Sequence, residues 1–165
     1  MPTYRPYQPS DAPALLALFR DTIRRVNSRD YPPEQIRAWA SDEIDPAAWA
    51  GRFLGRFVIV AVEGGRPAGF AELEPNGHID RVYVSADHQG QGIGKHLMAA
   101  VVDEANRLGI GRLFVEVSIT ALPFFESQGF VVLARQTVPC RGAELVNYRM
   151  ERLLPVPGTS SHPVH

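Results

Sequence analysis

Gly90, Gly92 and Gly94 alternate with Gln91 and Ile93 between Gln89 and Lys95, directly after a β-type apolar run ending at Val84 and directly before an amphipathic stretch over 95–108. The backbone N–H groups that open a helix have no partners within it, and the helix dipole adds partial positive charge at the same place. A turn of this kind can hold a phosphate or a pyrophosphate. Glycine lets such a ligand approach the backbone closely, and Lys95 adds charge. The competing reading is a flexible, glycine-capped connection. It is the weaker one, because three spaced glycines at a helix start cost stability unless something uses them. Two nucleotide signatures fail on residue identity. A dinucleotide fingerprint read from Gly90 needs glycine or alanine where Lys95 stands, and a P-loop ending at Gly94 and Lys95 needs glycine in place of Gln89 and serine or threonine in place of His96.

Proton transfer has its own candidates. His78 and Asp80 stand two apart on the strand before the turn and so share a face, and histidine titrates in the range a general base needs. Each also has a structural reading: His78 as an exposed strand-start residue after Asn76 and Gly77, Asp80 as a charge paired with Arg81 or a neighbouring strand. Glu72, Glu74 and Glu116 are further carboxylates on strands, and parity alone does not assign their faces. Cys140 is the sole cysteine, which excludes an intramolecular disulfide and an all-cysteine metal site. With no histidine partner in view it reads as a small packing residue, and there is no G-x-S-x-G elbow. His88 and His96 lack metal-ligand neighbours, and His162 and His165 belong to a solvated tail. No metal site is expected.

The elements that must position these groups follow from periodicity. A short extended segment (4–7) precedes a helix that Ser10 and Asp11 can cap, with Leu15, Leu18, Phe19, Thr22 and Val26 on one stripe. Residues 27–33 break it. Short helices follow over 34–40, with Trp39, and from Asp45 and Pro46, with Trp49 and Phe53; the tryptophans read as core anchors or as an aromatic wall with Tyr31. Strands are expected over 57–62 and 68–73, joined by Gly64 and Gly65, and over 78–84. Then come the glycine turn, a helix with Ile93, Leu97, Val101, Ala105 and Leu108 on one face, a strand over 113–117, a short helix over 121–128, and strands over 130–138 and 145–153. The order describes a mixed α/β sheet flanked by helices.

The 165 residues suit one domain, read here as 1–154 with a disordered tail over 155–165. The 17 basic and 18 acidic side chains leave a formal charge of −1, which supplies no bulk attraction for nucleic acid or an anionic membrane. The start of the chain lacks the pattern of an export signal and no apolar run is long enough to span a bilayer, so a cytoplasmic protein is expected.

Gln89, Gly92 and Gly94 meet the Q/R-x-x-G-x-G/A pattern of the acetyl-CoA loop of the GCN5-related N-acetyltransferases, the GNAT superfamily. Residues 118–130, a polar residue after a strand followed by a short helix that ends in Gly129 and Phe130, resemble that superfamily's later segment. The resemblance extends over 3–153, and residues 28–40 resemble a largely uncharacterised, bacterial-type subgroup. It implies an α+β fold with a mainly antiparallel sheet and a splayed central strand pair. It implies acetyl-CoA as co-substrate, with the backbone at Val82 and Val84 pairing with the pantetheine arm and the amides from Gly90, Gln91, Gly92, Ile93, Gly94 and Lys95 cradling the pyrophosphate. Ser118 stands where members contact the arm or a bound water. The implied reaction is direct attack by a neutral amine of a small molecule or peptide on the thioester, with no covalent enzyme intermediate. A base is required, and some members carry a glutamate where this chain has His78.

One departure stands out. Many members have a tyrosine where Phe125 stands, and phenylalanine has no hydroxyl to protonate the leaving thiolate. A thiol of pKa about 8.5 leaves tolerably well as the thiolate, and water, Tyr83 or Tyr148 are substitutes, with Phe125 shaping the channel. Without that hydroxyl, a non-catalytic acyl-CoA-binding sensor or partner-binding protein is the alternative. The resemblance also allows a homodimer; the acceptor is not coded in the chain.

Overall fold

The computed structural model describes residues 1–155; the tail expected over 155–165, with His162 and His165, lies from residue 156 onward outside the described residues. The chain opens with β1 (Thr3–Pro6) and α1 (Ala12–Arg25). α1 buries Leu15, Leu18, Phe19 and Thr22 as its spacing predicts, together with Leu16 and Ile23, and Arg24 and Arg25 close its last turn, where the helix dipole favours cations. Its start differs from the expected side-chain cap. The Asp11 carboxylate turns back to accept from the Gln8 N–H and from both Arg5 Nη groups, each at 2.8 Å. The Arg5 hydrogen bond holds that carboxyl below the usual carboxylate range, and the residue stitches β1 to the turn before α1.

Two short helices follow, α2 (Pro33–Trp39) and α3 (Pro46–Gly51). Asp45 caps α3 by accepting from the Ala48 N–H at 2.9 Å, with Pro46 preset in the first turn. Trp49 is a core anchor: it is buried, and its indole N–H donates to the Ala12 carbonyl at 3.0 Å.

β2 (Phe57–Glu63) and β3 (Arg66–Leu73) form the expected hairpin, turning through Gly64 and Gly65 at positive φ. β4 (His78–Val84), α4 (Ile93–Arg107), β5 (Arg112–Ser118) and α5 (Leu122–Ser127) come next. The last elements among the described residues are β6 (Val131–Cys140) and β7 (Ala143–Leu153), longer than their apolar patterns suggest. They are joined by Arg141 and Gly142, both at positive φ, and the Arg141 guanidinium is tied to the Ala38 carbonyl at 3.0 Å.

The strands form one seven-stranded sheet in the order β1-β2-β3-β4-β5-β7-β6, and every pairing is antiparallel except that of β4 with β5. This is the mixed, mainly antiparallel architecture expected. One face packs on α4 through Ile93, Leu97, Met98, Val101 and Ala105; Leu108, at the helix end, is 47% exposed and does not join that stripe. The other face packs on α1, α2 and α3 around Phe19, Trp49, Phe53 and Phe70.

Strand alternation is interrupted at one point that matters for the site. Leu73 pairs with Ile79 and Ala71 with Val82, so β4 spends three residues where β3 spends two. This bulge lets Ile79, Val82 and Val84 all pack toward α4 despite their mixed parity.

Candidate active site

β4 and β5 pair only at His78 with Phe114 and Ile79 with Val115, and beyond that point they diverge. The splay expected from the resemblance is therefore present, and it opens a cavity of about 930 Å³ that runs from the glycine turn past α5 to the aromatic cluster between α1 and α3. Hydrogen-bond alternation decides which backbone groups face the gap. The Ser85 N–H donates to the Ala68 carbonyl at 2.8 Å, so the backbone of Val84, opposite Gly69, and of Val82, opposite Ala71, turns away from β3 and toward β5. The Val84 carbonyl is already held by Thr22 Oγ1 at 3.2 Å and Gln89 Nε2 at 2.7 Å. Its N–H and both backbone groups of Val82 face the gap. Tyr83 points to the opposite face, against Phe19 and Phe70. Burial pushes its phenol up, which makes it a poorer proton donor than an ordinary tyrosine.

At the wide end of the gap the glycines have separate reasons. Gly90 and Gly92 sit at φ 73 and 82, a region L side chains rarely adopt, and Gly92 is the N-cap of α4. Gly94 serves packing: a Cβ there would lie 3.1 Å from Phe124 and 3.7 Å from Val84. Gln89 spends its side-chain amide on the Val84 and Ser85 carbonyls, pinning the turn to the end of β4. Ile93 is buried and Lys95 exposed on the cavity wall, while Gln91 is exposed and off that wall. Ser118 and Phe125 both line the cavity, Phe125 packed edge-on against Phe124 and Phe130.

The titratable residues are arranged differently from the simple expectation of a free histidine base. His78 is off the cavity wall, its Nε2 bonded to Glu116 at 2.7 Å and its Nδ1 to Glu74. The Glu116 hydrogen bond, against the cost of burial and with help from Glu74, lifts its pKa to about 9. At neutral pH His78 already holds its proton. Glu116 lies on the wall, on the face of β5 opposite Val115 and Val117, which pack toward α4. Asp80 is also on the wall but is clamped by Arg52 at 2.7 Å and Arg56 at 2.6 Å. Burial works against its charge, and the two guanidiniums still hold its carboxyl below the ordinary value.

The His78 cluster has a testable thermodynamic consequence. Its folded pKa of about 9 lies above the roughly 6.5 of an unfolded histidine, so its stabilisation is complete below pH ~6.5 and is lost as pH rises through about 9. The stability gap between wild type and His78→Gln is expected to be about 1–3 kcal/mol near pH ~6 and to close by pH ~9.5, read by thermal or urea unfolding at each pH. A gap that does not vary with pH would show that the imidazole is not charged in the folded protein.

Residues unmarked in the sequence complete the site. Arg52 and Arg56 come from the segment after α3, and Asn27 from the stretch read only as a break between helices; Tyr31, read as part of an aromatic wall, contributes its hydroxyl as well. The apolar stripe marked Thr22 as core, and its hydroxyl is what reaches β4. Among the described residues no group of three or more histidine, cysteine or carboxylate side chains is placed to hold a metal, and no helix is long and apolar enough to cross a membrane.

A family model described as an acetyltransferase (GNAT) domain matches residues 27–152. The uncharacterised N-acetyltransferase YafP of Escherichia coli K12 is 34% identical over 146 residues, covering 88% of this chain and 92% of that protein. A GCN5-related N-acetyltransferase from Rhodopseudomonas palustris superimposes with a TM-score of 0.89 at 38% identity, over 93% of this chain and 96% of its own. YncA of Salmonella typhimurium, solved with its cofactor acetyl-CoA, matches over 98% of both chains with a TM-score of 0.68; at 22% identity it speaks for the fold alone. With the splayed β4–β5 pair and the glycine turn at the start of α4, these matches establish that the chain belongs to the GNAT acetyltransferase family.

Proposed function

We propose that this protein is a cytoplasmic, acetyl-CoA-dependent N-acetyltransferase that acetylates a primary amine of a small molecule or peptide by direct attack in a ternary complex. The observation that carries this reading is the gap between β4 and β5, which leaves backbone groups of Val82 and Val84 facing an open channel that ends at the glycine turn. An extended arm with amide groups suits such an edge, because it can hydrogen-bond like an added strand. Open space at the Cβ position of Gly90, with only the His96 ring at 4.0 Å from that of Gly92, suits a pyrophosphate against the first amides of α4. Acetyl-CoA supplies an activated thioester; the protein supplies position, polarity and a proton acceptor.

The Val84 N–H is the donor for the reacting carbonyl. The carbonyl of the same residue accepts from Thr22 and Gln89, which holds Val84 in place before any ligand arrives. Glu116 is the base: of the wall carboxylates with no arginine partner, Glu43, Asp45 and Glu116, it alone stands on a strand of the splayed pair, and its Oε1 is held by a histidine that is already protonated. Asp80 and His78, the bases expected from sequence, then act as supports, Asp80 by tying Arg52 and Arg56 to the wall and His78 by orienting Glu116. Phe125 closes the channel with an apolar ring, and the thiolate leaves without a tyrosine proton.

The test is a thermal-shift titration with acetyl-CoA and CoA, with ATP and NAD as controls, followed by thiol release across a panel of amines. A ligand at 100 times its Kd stabilises the native state by about 2.7 kcal/mol, which for a chain of this size is a rise of roughly 5–10 °C. A rise with the CoA compounds alone, and thiol release with an amine, is the expected result. No rise with either compound overturns the reading. Binding with no thiol release from any amine favours the acyl-CoA-binding sensor suggested by Phe125, which supplies no hydroxyl.

A further inference from the structure

The segment from Thr22 to Tyr31 bridges the two strands that splay apart. On one side Thr22 Oγ1 donates to the Val84 carbonyl of β4 at 3.2 Å. On the other, Asn27 Nδ2 donates to Ser118 Oγ at the end of β5 at 3.4 Å, and the Tyr31 hydroxyl accepts from the Ile119 N–H at 2.9 Å and donates to the Val146 carbonyl of β7 at 2.6 Å. Thr22, Asn27 and Tyr31 are 4%, 5% and 5% exposed. A polar group so buried is held to its partner firmly, because leaving it unpaired costs about 1–3 kcal/mol.

Thr22, Asn27, Tyr31 and Ser118 all line the cavity, and of their three hydroxyls that of Ser118 is the one that still has a hydrogen to give. A hydroxyl has two lone pairs and one hydrogen. Both acceptor positions of Ser118 are filled by N–H donors, Asn27 Nδ2 at 3.4 Å and the Ala121 amide at 3.0 Å. The one hydrogen that remains is directed away from both donors, and Ser118 lines the cavity. We infer that Asn27 is a positioning residue that fixes the Ser118 hydroxyl as a hydrogen-bond donor into the β4–β5 gap, for a carbonyl oxygen on the amide-bearing arm of the co-substrate. This rests on the reading that acetyl-CoA occupies the gap. A contact to the arm, and not to the reacting carbonyl, acts on the bound ground state and the transition state alike, so its loss is expected to fall on KM and to leave kcat largely as it was.

The experiment is a double-mutant cycle on CoA and acetyl-CoA affinity, measured by calorimetry, with Asn27→Ala, Ser118→Ala and the double variant. One hydrogen bond of about 0.5–1.5 kcal/mol corresponds to a roughly 2–10-fold loss of affinity. Each single variant is expected to lose that much, and the double variant to bind no more weakly than Ser118→Ala alone, because Asn27 acts through Ser118. Asn27→Asp provides a second route should the alanine variant fold poorly. It keeps the shape but puts an acceptor where the donor was, which draws the Ser118 hydrogen back to residue 27, and it is expected to weaken CoA binding to the extent that Ser118→Ala does. Losses that add in the double variant overturn the inference, as does an Asn27 variant, either one, that melts earlier yet binds CoA like the wild type. Wild-type protein that binds neither compound defeats the prior reading of the gap, a result distinct from any of these.

Discussion

Glu72→Ala is expected to lower the free energy of unfolding by about 3–5 kcal/mol, a large share of the roughly 5–15 kcal/mol that holds a domain together. Glu72 is fully buried on β3. Its carboxylate accepts from Arg81 Nε and from Arg81 Nη2 at 3.0 Å, and Arg56 Nη1 adds a third contact at 3.2 Å. Burial pushes the Glu72 carboxyl up, and the Arg81 and Arg56 guanidiniums pull it back. The Arg81 guanidinium lies 4.2 Å over the Trp49 ring and close to Phe53 and Phe70, so it has nowhere to go when its partner is removed. The cost therefore arises mainly from a stranded cation, and less from the attraction lost. The combined variant Glu72→Leu/Arg81→Met removes both charges and is expected to recover at least half of the loss, as measured by urea unfolding. A single-variant cost below about 1 kcal/mol would show that the pair is solvated.

Glu116→Gln is the second large effect, and it is catalytic. Loss of a positioned base costs about 10²- to 10⁴-fold in rate. A fall in kcat of that order is expected, with CoA affinity unchanged, because Glu116 lies on the cavity wall next to the paired end of β4 and β5, away from the glycine turn. His78→Gln is expected to lose much less, since it removes an orienting contact and leaves the carboxylate in place. Steady-state kinetics with any accepted amine decides between these roles. If His78→Gln falls as far as Glu116→Gln, the two act as one unit. If Glu116→Gln keeps its rate, the base lies elsewhere on the wall, and Asp80 is the next carboxylate to test.

Much of the architecture was open to inspection in the chain. The glycine turn, the α4 stripe from Ile93 to Ala105, the β2–β3 hairpin and the β-type run to Val84 are local patterns, written in residues close together in sequence. Periodicity identifies such elements because each buries one face. Leu108 misled for a related reason: it keeps helical spacing but is the C-cap of α4, beyond the helix's last residue, and is exposed.

The site was legible only in part. The geometry of the glycine turn was, because it is set by residues next to one another in the chain at the start of α4. The proton chemistry was not, because it depends on which side chains meet across the sheet. His78 and Asp80 were correctly placed on β4, but what surrounds them comes from Glu74, from Glu116 some 38 residues away, and from Arg52 and Arg56 after α3. Those partners turn an expected free base into a residue that holds its proton up to about pH 9. The strap of Thr22, Asn27 and Tyr31 was hidden in the same way, since its bonds reach residues between 62 and 115 positions away. Composition, spacing and family motif were sufficient for the fold, the turn and the kind of ligand the turn suits. The charge state of each group, the width of the gap and the choice of proton acceptor belong to the folded chain, because a pKa and a hydrogen bond are properties of neighbours, and only folding makes residues distant in sequence into neighbours.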